Sequence, residues 1–180
     1  MRGRVKVAVA TALVAGAAVA GTVALADGGD GIRETLSGYE EDPATLSTPG
    51  SGEFDAWIRP KGDSIRYKLS YSGLESAVTQ AHIHFGGRAQ SGGISVFLCS
   101  NLTTPAPPPP GTQACPPQPA TIRGTITAAD VIGPAAQGIA AGEFGELLDA
   151  VRAGVTYVNV HSVNYPGGEI RAQLDPAKHD

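Results

Sequence analysis

Residues 53–71 read EFDAWIRPKGDSIRYKLSY, and this stretch decides the fold class. Apolar and polar side chains alternate on both sides of residues 60–63, with the period of two that places every second side chain on one face of a β-strand. Pro60, Gly62 and Asp63 are residues that favour turns. The stretch therefore predicts a β-hairpin with two antiparallel strands.

The same alternation recurs along the rest of the chain. Six further segments have the length and composition of strands, at residues 33–38, 79–86, 93–99, 121–127, 155–161 and 169–174. Eight short strands separated by Gly, Pro, Ser and Asn predict an all-β, antiparallel Greek-key β-sandwich or barrel. One short helix is predicted over residues 143–153, where apolar residues have helical spacing. The predicted core includes Ile65, Leu69, Ile94, Val96, Leu98, Val158, Val160 and Ile170.

The first 26 residues have the layout of a secretory signal peptide. A cationic start is followed by an Ala- and Val-rich apolar stretch, and Ala24-Leu25-Ala26 matches an A-x-A cleavage site. A retained membrane anchor is the alternative, but the weak hydrophobicity of the stretch favours cleavage after Ala26. We therefore expect a secreted chain with a linker at residues 27–31, one domain at 32–176 and a tail at 177–180.

The charge balance limits the possible partners. Removing the three basic residues of the predicted signal peptide leaves ten basic against seventeen acidic residues, a net charge of −7. An acidic chain without a basic run argues against nucleic acid and against a membrane as the partner after cleavage. The expected partner is an extracellular protein or a cell-surface ligand.

Cys99 and Cys115 are the two cysteines of the chain. In an exported protein such a pair is more often bridged than free. The Pro-rich segment between them cannot pack a core of its own, and the spacing differs from the C-x-x-C of a redox pair. We predict a disulfide bond that contributes roughly 3 kcal/mol of stability.

Three histidines are candidate metal ligands. His82 and His84 lie two residues apart on one predicted strand, so both imidazoles leave the same face. His161 ends another strand, on the face opposite its core residues. If the two strands are neighbours, three imidazoles converge on a copper or zinc site. Glu169 and Tyr157 are then the candidates to hydrogen-bond the ligating rings, and Glu169 is alternatively a fourth ligand. The alternative is a structural polar cluster without an ion.

Six motifs, in this order, resemble the CHRD (chordin) domain family over about residues 35–174. They are LSGYEE at 36–41, YSGL at 71–74, AHIHFG at 81–86, TAADV at 127–131, YVNVH at 157–161 and PGGEIR at 166–171. The resemblance implies a β-sandwich of immunoglobulin or superoxide-dismutase-like character. Such domains occur in bacterial exported proteins and in the animal growth-factor antagonist chordin, and the family has no settled biochemical activity.

The AHIHFG motif is also similar to the copper-binding strand of copper-zinc superoxide dismutases, but one residue is missing and the zinc loop and bridging histidine are absent. No nucleophile elbow or phosphate-binding loop is present, so no catalytic or cofactor-binding residue is assigned. The first hypothesis is a non-enzymatic extracellular binding or structural module. The alternative is a copper- or zinc-binding protein that uses the three histidines.

Two further features carry expectations. The acidic run at residues 40–42 is expected at a solvated loop edge. Trp57 alternates onto the charged face of its strand with Asp55 and Arg59. There it either marks a carbohydrate or protein contact or packs half-buried at a sheet edge.

Overall fold

A computed structural model describes residues 31–104 and 107–176. The strands are β1 (Gly31–Ser37), β2 (Ser51–Ile58), β3 (Ile65–Ser72), β4 (Val78–Phe85), β5 (Gly93–Ser100), β6 (Ala120–Ile126), β7 (Thr156–Ser162) and β8 (Ile170–Leu174), with one α-helix, α1 (Phe144–Arg152). The predicted all-β class with one short helix is confirmed. The predicted signal peptide and tail lie outside the described residues, and Gly31, assigned to the linker, begins β1.

All eight strands form one antiparallel sheet in the order β5-β4-β7-β8-β1-β2-β3-β6. The pairings β1–β8, β4–β7 and β3–β6 join strands that are distant in sequence, which is typical of Greek-key connections. The sheet curls until β5 and β6 nearly meet. Gln113 Nε2 bridges this gap by donating to Leu98 O at 3.1 Å and to Arg123 O at 3.2 Å. A disulfide bond between Cys99 and Cys115 fixes the loop that carries Gln113.

Seven of the eight predicted core residues are buried, and the prediction for Ile94 is wrong because that side chain is half-buried. The register between β4 and β5 shifts at this point, since His84 pairs with Ile94 while Ile83 pairs with Val96. Ser95 is the extra residue of this irregularity, and it is fully buried. A β-bulge of this kind reverses the alternation beyond it, so a strict period of two assigns Ile94 to the wrong face.

The two halves of the sheet differ on their outer faces. On β1, β2, β3 and β6 the outward side chains are mostly exposed, whereas every residue of β7 and β8 is buried. The β4–β5 connection covers this second half, because Arg171 Nη2 of β8 donates to Gly87 O and Gln90 O. Polar side chains on the outer face of β4, β7 and β8 are therefore enclosed between the sheet and its loops.

The helix α1 buries an apolar stripe against the core, as predicted. Phe144, Leu147, Leu148 and Val151 are buried, and Gly154 follows the helix with a φ of +67°. Glycine adopts this left-handed conformation without steric cost, so it allows the chain to turn back into β7. Among the described residues, no helix has the length and apolar character needed to cross a membrane.

Candidate metal centre

The three predicted histidines converge on the enclosed outer face. β4 and β7 are neighbours, and their antiparallel register places His82 opposite Asn159 and His84 opposite Tyr157. One ring nitrogen from each of His82, His84 and His161 lies within 4.8 Å of the others. All three rings are buried, and His82 is fully enclosed. The structure therefore brings together side chains that are up to 79 residues apart in sequence.

Backbone carbonyls hold two of the rings. His84 Nδ1 lies 2.9 Å from Gly92 O, and His161 Nδ1 lies 3.0 Å from Pro166 O. A carbonyl oxygen only accepts hydrogen bonds, so Nδ1 carries the proton in both rings and Nε2 of the neutral imidazole has a free lone pair. Fixing a tautomer through the other ring nitrogen is how proteins orient histidine ligands.

The His82 ring contacts the His161 ring. His82 Nδ1 lies 3.1 Å from His161 Nε2, and Asn159 Oδ1 lies 2.9 Å from the same nitrogen. Two nitrogens bound to one ion at ~2.0–2.1 Å are themselves about 2.9–3.4 Å apart for angles from square-planar to tetrahedral. The separation between His82 Nδ1 and His161 Nε2 fits two ligands on one metal ion, and it equally fits an N–H···N hydrogen bond between the two rings in the metal-free protein.

Two buried ring nitrogens have no hydrogen-bond partner within the described residues. They are His82 Nε2 and His84 Nε2. His161 Nε2 lies near both His82 Nδ1 and Asn159 Oδ1, and its lone pair can accept a hydrogen bond from His82 Nδ1. Among the described residues, His84 Nε2 has no such donor, so it offers a buried lone pair that a cation would satisfy.

Burial keeps the cluster neutral. It lowers the pKa of His82 to about 2, and the neighbouring His161 and His84 act in the same direction. Burial lowers the pKa of His161 to about 4, although the Pro166 carbonyl opposes this. The pKa of His84 is also lowered, chiefly by burial. Neutral imidazole, the form that binds metals, is therefore the form present at pH 7.

Tyr157 packs against His84. The two rings are stacked, with centroids 4.8 Å apart and an interplanar angle of 3°. The Tyr157 hydroxyl accepts a hydrogen bond from Gly92 N at 3.1 Å, and the carbonyl of the same Gly92 faces His84 Nδ1. The Arg171 guanidinium lies 3.5 Å from the centre of the Tyr157 ring on the enclosed face. Tyr157 thus fixes both the ring plane of His84 and the loop that orients it.

Glu169 forms its hydrogen bonds with residues outside the histidine cluster. It is fully buried just before β8, and its carboxylate oxygens accept from Glu75 N at 2.8 Å and from the Ser162 hydroxyl. The Arg171 guanidinium is engaged by loop carbonyls and the Tyr157 ring. Glu169 therefore joins the end of β7 to the β3–β4 connection.

The prediction of a solvated acidic run is wrong for Glu41. Glu40 is exposed, but Glu41 is 8 % exposed, and its Oε1 is buried without a hydrogen-bond partner in the described residues. Burial raises the pKa of Glu41 to about 8, although nearby Arg171 lowers it. A Cβ added at Gly168, whose φ is +131°, would lie 2.7 Å from both Glu41 carboxylate oxygens and 2.8 Å from Asn159 Nδ2. Gly168 thus leaves the space that these two side chains occupy.

Sequence reasoning did not assign Glu41, Asn159 or Arg171 to the candidate site, although alternation placed Asn159 and Arg171 on the polar face of their strands. Asn159 and Arg171 alternate with core residues on β7 and β8, so their face was predictable, but not the loops that cover it. The paired glycines of the PGGEIR motif were an available signal. A glycine with a positive φ beside a ligand strand marks a close approach of side chains.

Comparison with known proteins identifies a domain family. Residues 32–174 match the CHRD domain. No curated protein and no solved structure matches the chain significantly. The family match spans most of the chain and covers all eight strands apart from Gly31 at the start of β1. The chain therefore belongs to the CHRD domain family.

Proposed function

We propose that this chain is an exported, non-enzymatic CHRD module that binds one copper or zinc ion through His82, His84 and His161. The observation that carries the proposal is the convergence of three buried, neutral imidazoles with ring nitrogens within 4.8 Å of one another. Neutral imidazole suits both copper and zinc, so the donor set fits either ion.

The alternative of a purely structural polar cluster explains the contacts less well. A cluster that only orders the sheet gains most when every buried nitrogen has a hydrogen-bond partner. Here His82 Nε2 and His84 Nε2 have none, and each such group costs about 1–3 kcal/mol. An ion beside His161 Nε2 would use the lone pair of His84 Nε2 and offset the cost at that ring, whereas His82 can offer this ion only the Nδ1 that faces His161. The relief at His84 favours the metal hypothesis over the structural one.

The enclosure of the site favours a structural metal site over a catalytic one. Catalytic zinc sites keep a position open to water or substrate, whereas structural sites are closed. His82, His84 and His161 are all at least 92 % buried, beneath loops that are themselves fixed to the sheet. The Asn159 oxygen, 2.9 Å from His161 Nε2, is the candidate for an additional ligand. Tyr157 and the Gly92 and Pro166 carbonyls are the proposed orienting groups.

Export is the second part of the proposal. It is supported by the signal-peptide layout of residues 1–26 and by the disulfide bond between Cys99 and Cys115. Disulfides persist in oxidising compartments and are rare in the cytosol. In this proposal the chain is cleaved after Ala26, and residues 32–176 act as one extracellular domain.

Metal analysis and titration test the proposal. Protein purified from the exported fraction without a histidine tag is titrated with Cu²⁺ and Zn²⁺, beside the variants His84→Ala and His179→Ala. His179 lies in the tail outside the described residues, so it is a matched histidine control. We expect one ion per chain in the wild type and in His179→Ala, and binding at least 100-fold weaker in His84→Ala.

Two outcomes would contradict the metal site. One is equal affinity in the wild type and in folded His84→Ala, and the other is no binding in any protein. Because removal of a buried ring can unfold the domain, His84→Gln provides a second variant. Its near-ultraviolet circular dichroism and its disulfide are checked first, so that lost binding is not confused with lost structure.

A further inference from the structure

A row of charged side chains crosses the outer face of β1, β2, β3 and β6, the half of the sheet whose outward side chains are mostly exposed. The strand registers align Arg33 of β1 with Asp55 of β2, Asp55 with Lys68 of β3, and Lys68 with Arg123 of β6. Four aligned residues span three inter-strand spacings, roughly 14 Å. The row lies on the outer face, since most of its neighbours along the strands belong to the core, namely Ile32, Phe54, Ala56, Tyr67, Leu69 and Ile122.

The charged row lies between two rows of different chemistry. On one side Trp57 pairs with Gly31 and Arg66, and Arg66 pairs with Thr125. The Trp57 side of the face is open because Trp57 is 40 % exposed. On the other side is a row that offers hydroxyl groups and one carboxylate, formed by Thr35, Glu53, Ser70 and Thr121.

This face is locally cationic on an acidic protein. It has four basic residues against two acidic ones, while the whole chain has a net charge of −4. Asp55 is bound by Arg33 at 2.7 Å and by Lys68 at 3.1 Å. Arg66 and Arg123 are exposed, and within the part of the chain that the structure describes neither forms an ion pair. These two guanidinium groups are therefore available to an external anion.

Two depressions flank the charged row. One, of about 280 Å³, lies beside Trp57 and is lined by Arg33 and Asp55. The other, of about 490 Å³, lies over the hydroxyl row and is lined by Glu53 and Ser70 among others. They are open and polar, unlike the enclosed apolar pockets that take small hydrophobic ligands. Together they form an extended surface, which suits a polymer better than a single small molecule.

We propose that this face binds an acidic polysaccharide whose sugar units carry carboxylate groups. The Trp57 ring would stack on the apolar face of a sugar ring. Arg66 and Arg123 would pair with carboxylates, for which the planar guanidinium group has a matching pair of donors. Hydroxyl and carboxylate side chains, such as Ser70 and Glu53, would bond the sugar hydroxyls. This proposal does not depend on the metal site, which lies on the other half of the sheet.

The charge pattern favours this ligand over other polyanions. Nucleic acid and anionic membranes present a dense negative charge and are bound by surfaces with a clear excess of Lys and Arg. Here the exposed carboxylate of Glu53 lies within the face and would repel such a ligand. A polysaccharide has spaced carboxylates and many hydroxyl groups, so it can use the acidic and hydroxyl side chains as well as the cationic ones.

The test uses polygalacturonate and its fully methyl-esterified form as probes of the full exported chain. Binding is measured by isothermal titration calorimetry at low and at 0.5 M salt, for the wild type, Trp57→Ala and the double variant Arg66→Ala/Arg123→Ala. Arg152→Ala in α1 is the control for the loss of one positive charge away from this face. The melting temperature of every variant is measured first, because Trp57 is more than half buried, and a variant that is still folded at the titration temperature separates lost binding from lost folding.

We expect the wild type and Arg152→Ala to bind polygalacturonate. Both Trp57→Ala and the double variant should bind at least tenfold more weakly, and high salt should weaken the wild type because exposed charges are screened. Equal affinity for the methyl-esterified polymer, full binding by the double variant, or no binding at all would overturn the proposal. Preferential binding to phosphatidylglycerol vesicles would also overturn it and identify a membrane-binding face.

Discussion

Replacing Gly168 by alanine should destabilise the domain and weaken metal binding together. Gly168 has a φ of +131°, and an added Cβ would lie 2.7 Å from both Glu41 carboxylate oxygens. The backbone strain of a non-glycine residue in this region costs about 1–3 kcal/mol. Moving buried Glu41 and Asn159 aside adds to this cost, so we expect the free energy of unfolding to fall by about 2–4 kcal/mol. For a domain of this size that corresponds to a melting temperature lower by roughly 6–12 °C.

Gly167→Ala is the matched control, because a Cβ at Gly167 meets nothing within 4 Å. Urea unfolding of both variants, followed by tryptophan fluorescence, measures the difference in free energy. Copper titration of the same samples measures the second effect, which we expect to be a weakening of tenfold or more because the Asn159 oxygen contacts His161 Nε2. If Gly168→Ala is as stable as Gly167→Ala, the close packing of Glu41 and Asn159 at this glycine is wrong.

Three further predictions concern pH and the disulfide. The pKa values of His82 and His161 lie below 6.5 in the folded protein, so their contribution to stability is present above pH 6.5 and is lost as the pH falls. The free energy of unfolding of the metal-free protein, measured with urea, should fall by about 2 kcal/mol for each of these histidines between pH 7 and pH 5. If this free energy does not change with pH in a Glu41→Gln background, the buried rings are not neutral. Glu41 acts in the opposite direction, because its pKa is raised to about 8 and its contribution is lost as the pH rises. Glu41→Gln should therefore gain stability relative to the wild type by about 1.4 kcal/mol per pH unit between pH 5 and pH 8, and a pH-independent difference between the two proteins would refute the burial of this carboxyl group. Replacing Cys99 and Cys115 together by serine should cost roughly 3 kcal/mol in thermal unfolding, whereas an unchanged melting temperature would show that the bridge adds no stability.

Much of the fold could be predicted because alternation reports directly on burial. The hairpin of β2 and β3, the other six strands and α1 all follow from local patterns in the sequence. Ile94 could not be assigned, because a β-bulge changes the face of a residue without changing its local composition. The enclosure of Glu41 was equally inaccessible, since it depends on where the β1–β2 connection lies over the sheet.

The candidate site was predictable in part. Alternation placed His82 and His84 on one face and His161 on the corresponding face of its own strand, but the pairing of β4 with β7 joins distant segments of the chain. Which tautomer each ring adopts depends on the Gly92 and Pro166 carbonyls, both of which lie in loops. Loop conformations have no period in the sequence, so the protons and lone pairs of the cluster could only be assigned from the structure.

X-ray absorption spectroscopy of the copper- or zinc-loaded chain, exported and purified without a histidine tag, tests the central claim most directly. The account predicts a first shell with three imidazole nitrogens at about 2.0–2.1 Å, and the outer-shell signal of the imidazole rings should decrease by one ring in folded His84→Gln. A first shell of oxygen atoms without imidazole scattering, or the same imidazole count in His84→Gln, would contradict a metal site at His82, His84 and His161.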